Sequence, residues 1–378
     1  MKQVLLLLLF LGCGSFYAHG QKSLLKQKGL FLEARYSYGD VIAHKPALQA
    51  ITSEPYHFLD IRLGKQGLGS HAFEVLLNHP LYGLGYFRGD VGSSQIFGNP
   101  NALYGFIAFP VFRHKNYYLA LEPSIGLAFN LSPFHETKNP RNVAIGSGEN
   151  AFLRLRIANT FTISPQMDLD ISMDYTHFSN GMTRAPNLGL NNRGLSIGLK
   201  YFFHRDYSLT NNIEKAATVR RLWGDFQDKQ SIFLRYGYGV RSSDLTFKYY
   251  QVHDFSLGYR KQISYIFAFS LAHDLFYNEI AKVRNKQLQS PLERYQLLSL
   301  GLYGENELIL NRLRFILGLG AYYYHGDNAN EELLYWRLGA RYAVLEKLWF
   351  QVALKAHASV ADFVEWSVAY EIPIKKKR

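Results

Sequence analysis

His177 and Ser179 stand one residue apart in a stretch where every second residue is apolar: Leu169, Ile171, Met173 and Tyr175, with Asp168, Asp170, Ser172 and Asp174 between them. Alternation of period 2 marks a strand with one apolar and one polar face. Residues i and i+2 share a face, so the imidazole and the hydroxyl can meet. A serine hydroxyl is a weak nucleophile until a base takes its proton, which makes the pair suited to acyl transfer. Gly181, just beyond, lets the backbone approach a developing oxyanion. Both His177 and Ser179 carry the parity of the apolar residues. In a protein folded in water that face is core, whereas in a membrane barrel it faces lipid. A base and a nucleophile on a lipid-facing rim point to chemistry on a molecule embedded in the membrane. Arg184 and Arg193 flank the pair and could hold lipid phosphates.

These residues need a hairpin to position them. After a loop rich in Asn, Gly and Pro, Asn180 to Asn192, the alternation returns with Leu195, Ile197, Leu199, Tyr201 and Phe203 on one face. Upstream, the pattern predicts strands over 29–38, 56–64, 71–78, 102–112, 117–130 and 151–163. Residues 79–90 read as an aromatic-rich turn region and 132–150 as a long loop. With the hairpin this makes about eight strands, the size of the smallest membrane barrels. Residues 204–230 are charged and break the pattern, with a short helix predicted over 213–223. Alternation then resumes over 231–240, 245–261, 264–274, 296–304, 311–325, 333–342, 348–357 and 363–372. The expected fold is all-β: two tandem antiparallel transmembrane barrels of about eight strands each, with a single barrel of about sixteen as the alternative. The predicted organisation is a signal peptide at 1–20, a first barrel at 21–204, a linker at 205–230 and a second barrel at 231–378.

Composition supports export to a membrane. Lys2, the apolar run Val4–Leu11 and Ala18-His19-Gly20 form a secretory signal with cleavage before Gln21. Cys13 is the single cysteine and falls within that signal, so a mature chain has no disulfide; Leu11-Gly12-Cys13 leaves a lipoprotein signal as the alternative. Aromatic residues make up 15% of the chain, with 27 Tyr and 27 Phe, as the girdles of an outer-membrane barrel require. A soluble periplasmic β-sandwich shares the alternation and is the competing class. The formal net charge is +12, four of it in Lys375–Arg378. Export excludes nucleic acid as the natural partner and leaves phosphorylated lipid head groups.

The run His177-Phe178-Ser179-Asn180-Gly181, followed by Pro186-Asn187-x-Gly189, resembles the outer-membrane lipid A 3-O-deacylases over about the first half of the chain, Gly29 to Phe203. Members of that family are eight-stranded barrels with a Ser-His-Glu triad on the lipid-facing rim. They hydrolyse the 3-position ester of lipid A without a metal or cofactor. The resemblance implies Ser179 as nucleophile, His177 as general base, and Asn180 and Gly181 as oxyanion donors. It also implies lipopolysaccharide and outer-membrane lipids as partners. Where the family carries Glu, this chain has Asn191, whose parity matches His177. An Asn oxygen can fix the imidazole tautomer but cannot offer a full charge to the imidazolium. Glu149 and Asp174 are the alternative acids, although Asp174 belongs to the opposite face.

A second His-x-Ser, His357-Ala358-Ser359, has the reverse parity. Phe350, Val352, Leu354 and Ala356 form the apolar face, so His357 and Ser359 point into a lumen that lipid cannot enter. This pair reads as a structural polar network and the second half as a non-catalytic companion. The remaining histidines show no metal-ligand spacing, and there is no Gly-rich phosphate loop. The leading function is an outer-membrane serine esterase acting on lipid A. The competing ones are an inactive barrel serving as scaffold or small channel, and a soluble lipid-binding protein.

Overall fold

The structure is a computed structural model describing residues 27–52, 54–206, 219, 221, 226–243, 248–283, 293–326, 332–358 and 360–374. The predicted signal, the helix over 213–223, Ser359 and the basic C-terminal residues lie outside, or almost wholly outside, this set.

Sixteen strands close into two separate barrels of eight, each antiparallel throughout. The first is built from β1 (Leu30–Val41), β2 (Tyr56–Gln66), β3 (Leu81–Val91), β4 (Asn101–His114), β5 (Tyr117–Phe129), β6 (Asn150–Thr162), β7 (Met167–Ser179) and β8 (Leu190–Phe202). The second comprises β9 (Lys229–Ser242), β10 (Tyr249–Gln262), β11 (Phe267–Asn278), β12 (Leu298–Leu310), β13 (Leu313–His325), β14 (Leu334–Ala343), β15 (Leu348–His357) and β16 (Val360–Ile374). Pairing of β1 with β8, and of β9 with β16, closes each barrel, so no sheet edge is left open. The single larger barrel is thereby set aside.

The sides of the wall are reversed relative to a water-soluble sheet. Outward residues are large and apolar, such as Leu59, Leu84, Leu195, Leu257 and Leu317, and are 58–66% exposed in the extremes of that set, Leu257 and Leu195 among them. Inward residues are charged and buried. In the first barrel Arg62 on β2 bridges Glu33 and Glu122, each at 2.5 Å, and Arg154 on β6 reaches Asp60 on β2 at 2.7 Å. In the second, Arg337 on β14 holds Asp254 at 2.6 Å, Asp274 at 2.5 Å and Glu365 at 2.8 Å. Arg62–Glu33 joins neighbouring strands, the other pairs reach across the barrel, and together they occupy the lumen, as eight strands enclose only enough room for side chains. Burying a charge is tolerable only when it is paired, and each of these buried charges has an opposite partner. An apolar exterior around a polar interior fits lipid as the surrounding solvent, not water.

One strand differs from the expectation. Residues 71–78 are not a strand: Ala72–Leu76 forms a short helix, and the third strand is β3. Glu74 explains the helix, because its buried carboxylate accepts the N–H groups of Gly69 and Ser70, both at 2.8 Å, and the Tyr82 hydroxyl. In β3 the alternation is hidden by glycines. A Cβ on Gly85 would lie 2.2 Å from the Tyr104 ring, so a neighbour's side chain occupies the space that an inward residue would fill.

Candidate active site

Strand β7 delivers His177 and Ser179 to the outer face because its inward residues are fixed. Thr176 accepts the Tyr56 hydroxyl at 2.9 Å. Phe178, fully buried between the two, packs on Phe152 at 5.5 Å and Phe87 at 5.9 Å between centroids. With these neighbours anchored inward, positions 177 and 179 must face outward. The connections at this end of the first barrel, 42–55, 92–100, 130–149 and 180–189, are all long, whereas at the other end 115–116 and 163–166 are short turns and 67–80 alone is long. In outer-membrane barrels the longer connections are the extracellular ones.

Asn191 belongs to β8, not to the loop, and pairs directly with His177 across the ladder. Its Oδ1 lies 2.6 Å from His177 Nδ1 and accepts the Tyr175 hydroxyl at 2.7 Å. Its Nδ2 donates to His44 Nδ1 at 3.1 Å. The amide is thus oriented from both ends. An amide oxygen only accepts, so the proton sits on His177 Nδ1 and Nε2 is left as the base. The sequence alone marks Tyr175 only as a member of the apolar face and gives His44 no role. Tyr175 shares the outward parity, but its partner is set by strand register; His44 lies 147 positions from Asn191 in another loop and carries no local signal.

Gly189 brings the histidine and the serine to one place. A Cβ there would sit 2.9 Å from His177 Cε1 and 3.5 Å from Ser179 Cβ, and its φ of +74° favours glycine. Ser179 is buried, and no hydrogen bond joins it to His177; a base and nucleophile of this kind commonly draw together only around substrate.

Asn180 holds the β7–β8 loop together. Its N–H donates to Asn187 Oδ1 at 3.0 Å, and its side-chain Nδ2 donates to Arg184 O at 2.7 Å and Ser147 Oγ at 3.0 Å. Its donors are therefore engaged within the protein, whereas Gly181, with φ +60°, stands next to them without such a bond among the described residues. Arg184 and Arg193 are both exposed, and Arg193 lies on the outward face one position beyond Asn191 in that alternation. Asp174 faces the lumen, where it accepts Ser196 Oγ at 2.6 Å, and Glu149 is exposed on a loop. Neither is bonded to His177. His357 also faces its lumen, with Nδ1 3.0 Å from Glu332 and Nε2 3.3 Å from the Tyr322 hydroxyl, in keeping with a structural network.

The sequence profile of lipid A 3-O-deacylases matches residues 66–200, and that of the acyloxyacyl hydrolase C-terminal domain matches 229–376. The chain belongs to the lipid A deacylase family. This makes it a lipid A hydrolase of the outer membrane, and the family likeness extends through the second barrel instead of ending with the first. No curated protein matches the chain. Among solved structures, Neisserial surface protein A is 11% identical with a TM-score of 0.32, covering 46% of this chain and 97% of its own. A triple mutant of Rhodopseudomonas blastica porin is 8% identical with a TM-score of 0.19, covering 91% and 99%. CdiB from Acinetobacter baumannii is 9% identical with a TM-score of 0.20, covering 92% and 60%.

Proposed function

We propose that this lipid A deacylase is a serine esterase that removes the acyl chain at the 3-O position, using Ser179, His177 and Asn191. The observation that carries the reading is the 2.6 Å contact between His177 Nδ1 and an Asn191 oxygen whose orientation is fixed by Tyr175 and His44. His177 Nε2 takes the Ser179 proton as Oγ attacks the ester carbonyl. The Gly181 N–H faces the oxyanion, while Asn180 shapes the loop that presents it. His177 then protonates the departing sugar 3-oxygen, leaving an acyl-serine. Water attacks this ester with His177 again as base, and a free fatty acid leaves.

Acyl chains of the substrate already lie in the bilayer, so the barrel's apolar exterior serves as part of the binding surface. Arg184 and Arg193, both exposed, receive the phosphates in this reading. No step calls for a metal or cofactor. Export through a signal cleaved after Gly20 belongs to the same reading and is tested by N-terminal sequencing of the mature protein. For the activity, purified full-length protein in detergent is incubated with purified lipopolysaccharide, and the released acids and remaining lipid A are analysed by mass spectrometry. Release of one ester-linked 3-hydroxy acid, abolished by Ser179→Ala, is expected. A wild type that releases nothing overturns the esterase reading and leaves an inactive scaffold barrel.

A further inference from the structure

The loop that carries the proposed oxyanion donor is held against the second barrel. A Cβ on Gly181 would lie 2.5 Å from Val364 Cγ2 and 3.4 Å from Leu354 Cδ1. The next residue, Met182, accepts the Ser242 N–H on its carbonyl oxygen at 2.8 Å. Val364 on β16 and Leu354 on β15 are directly paired and both point outward, between the inward residues Lys355, Phe363 and Glu365. Below them the same outward face continues as the pairs Val352–Trp366 and Phe350–Val368. This is an apolar strip that starts beside the Ser179 loop and runs down the barrel wall at about 3.3 Å per residue. Along β15 its residues are only half-exposed, whereas outward leucines elsewhere on this barrel, Leu257, Leu271 and Leu317, are 58%, 61% and 58% exposed.

We propose that the second barrel supplies the far wall of the acyl-chain groove. The chain to be cut lies between the outer face of β7 and the strip Leu354, Val364, Val352 and Trp366, with its ester at Ser179. The occupant is a lipid acyl chain because the strip is apolar, lies on the outward face of the second barrel and begins at Gly181, two residues past the proposed nucleophile. The second barrel then selects chain length although it carries no catalytic group. The inference rests on the esterase reading for its catalytic part, but the groove itself does not need turnover.

Three measurements on the full-length protein test it. In outer-membrane vesicles, Met182→Cys with Ser242→Cys should be joined by a short bis-maleimide, detected by peptide mass spectrometry; absence of the crosslink overturns the proposal. In the Ser179→Ala protein, a phospholipid carrying a diazirine in its acyl chain should label the 350–368 segment more than the outward face of β13. Equal or reversed labelling overturns it, whether or not the wild type is an esterase. For chain selection, Val364→Trp should lower kcat/KM for the long-chain ester relative to a short-chain one by about tenfold, and Leu354→Ala with Val364→Ala should shift the ratio the other way. Leu317→Trp, on a distant outward position, should leave it unchanged. Shifts in the same direction for the filling and emptying variants would mean a loosened interface and not a groove wall.

Discussion

Replacing Asn191 by Asp tests the electrostatics of the site directly. The side chains are nearly isosteric. One carboxylate oxygen keeps the bonds to His177 Nδ1 and the Tyr175 hydroxyl, now 2.6 and 2.7 Å, and the other takes the place of Nδ2 beside His44. His44 Nδ1 would then donate, which needs only a change of tautomer. What changes is the charge opposite the imidazolium that forms as Ser179 attacks. At a separation of about 4 Å, a unit charge pair is worth about 4 kcal/mol at an effective dielectric of 20 and about 1 kcal/mol in water. The site is half-exposed at the rim, so a value between these limits applies, near 2 kcal/mol. With about 1.4 kcal/mol per decade, Asn191→Asp should raise kcat roughly 10- to 100-fold. The assay is the rate of 3-hydroxy acid release from lipopolysaccharide under saturating substrate, with fold retention checked by circular dichroism. A variant that folds and turns over no faster than wild type would refute the assignment of Asn191 as the partner that steadies the imidazolium.

Other expected outcomes follow from the same contacts. Gly189→Ala places a Cβ 2.9 Å from His177 Cε1 at a backbone φ of +74°, so the ring or the backbone must shift; kcat should fall about 100-fold, since displacement of a catalytic group by about 1 Å has that scale. Arg337→Leu removes the nearest cation from Asp254, Asp274 and Glu365, leaving them Arg235 at 3.5–3.7 Å, and should destabilise the second barrel by about 3 kcal/mol. Urea unfolding followed by tryptophan emission reads this well, because Trp336, Trp349 and Trp366 all lie in the second barrel. In planar bilayers the protein should give no conductance steps, because wall-to-wall ion pairs such as Arg62–Glu122 occupy the lumen; steady channels would restore the channel reading.

Much of the architecture was readable because a barrel in lipid imposes one rule along every strand. The parity of Leu169 to Ser179 told which way each side chain points, and the hairpin put Asn191 on the same side as His177. The rule failed at β3, where Gly83, Gly85 and Gly89 take the place of inward side chains and volume comes from neighbours such as Tyr104. It could not assign the donors of Asn180 either, since those depend on how the loop folds back onto Ser147 and Arg184. His44 and the Gly181–Val364 contact were beyond reach for a further reason. Each joins segments far apart in the chain through loop geometry, and period 2 carries no information about loops.

The narrowness of the barrel bears on why the chemistry lies outside. A lumen closed by ion pairs cannot admit an acylated sugar, so a site built on this scaffold must use the outer wall. There, polar groups meet hydrocarbon a few residues below the rim and must satisfy one another. Tyr175, His177, Asn191 and His44 do so as a chain of neutral donors and acceptors. A carboxylate at position 191 would offer more to the transition state but would have to be desolvated in the resting protein. On the lipid face of a barrel, that cost for an acidic side chain is within about 1 kcal/mol near the interface and grows with depth. The Asn191–His177 pair is at the end of its strands, where the cost is smallest. Asn191→Asp should therefore gain more in catalysis than it loses in stability, and a large loss of stability would place the pair deeper in the membrane than the rim.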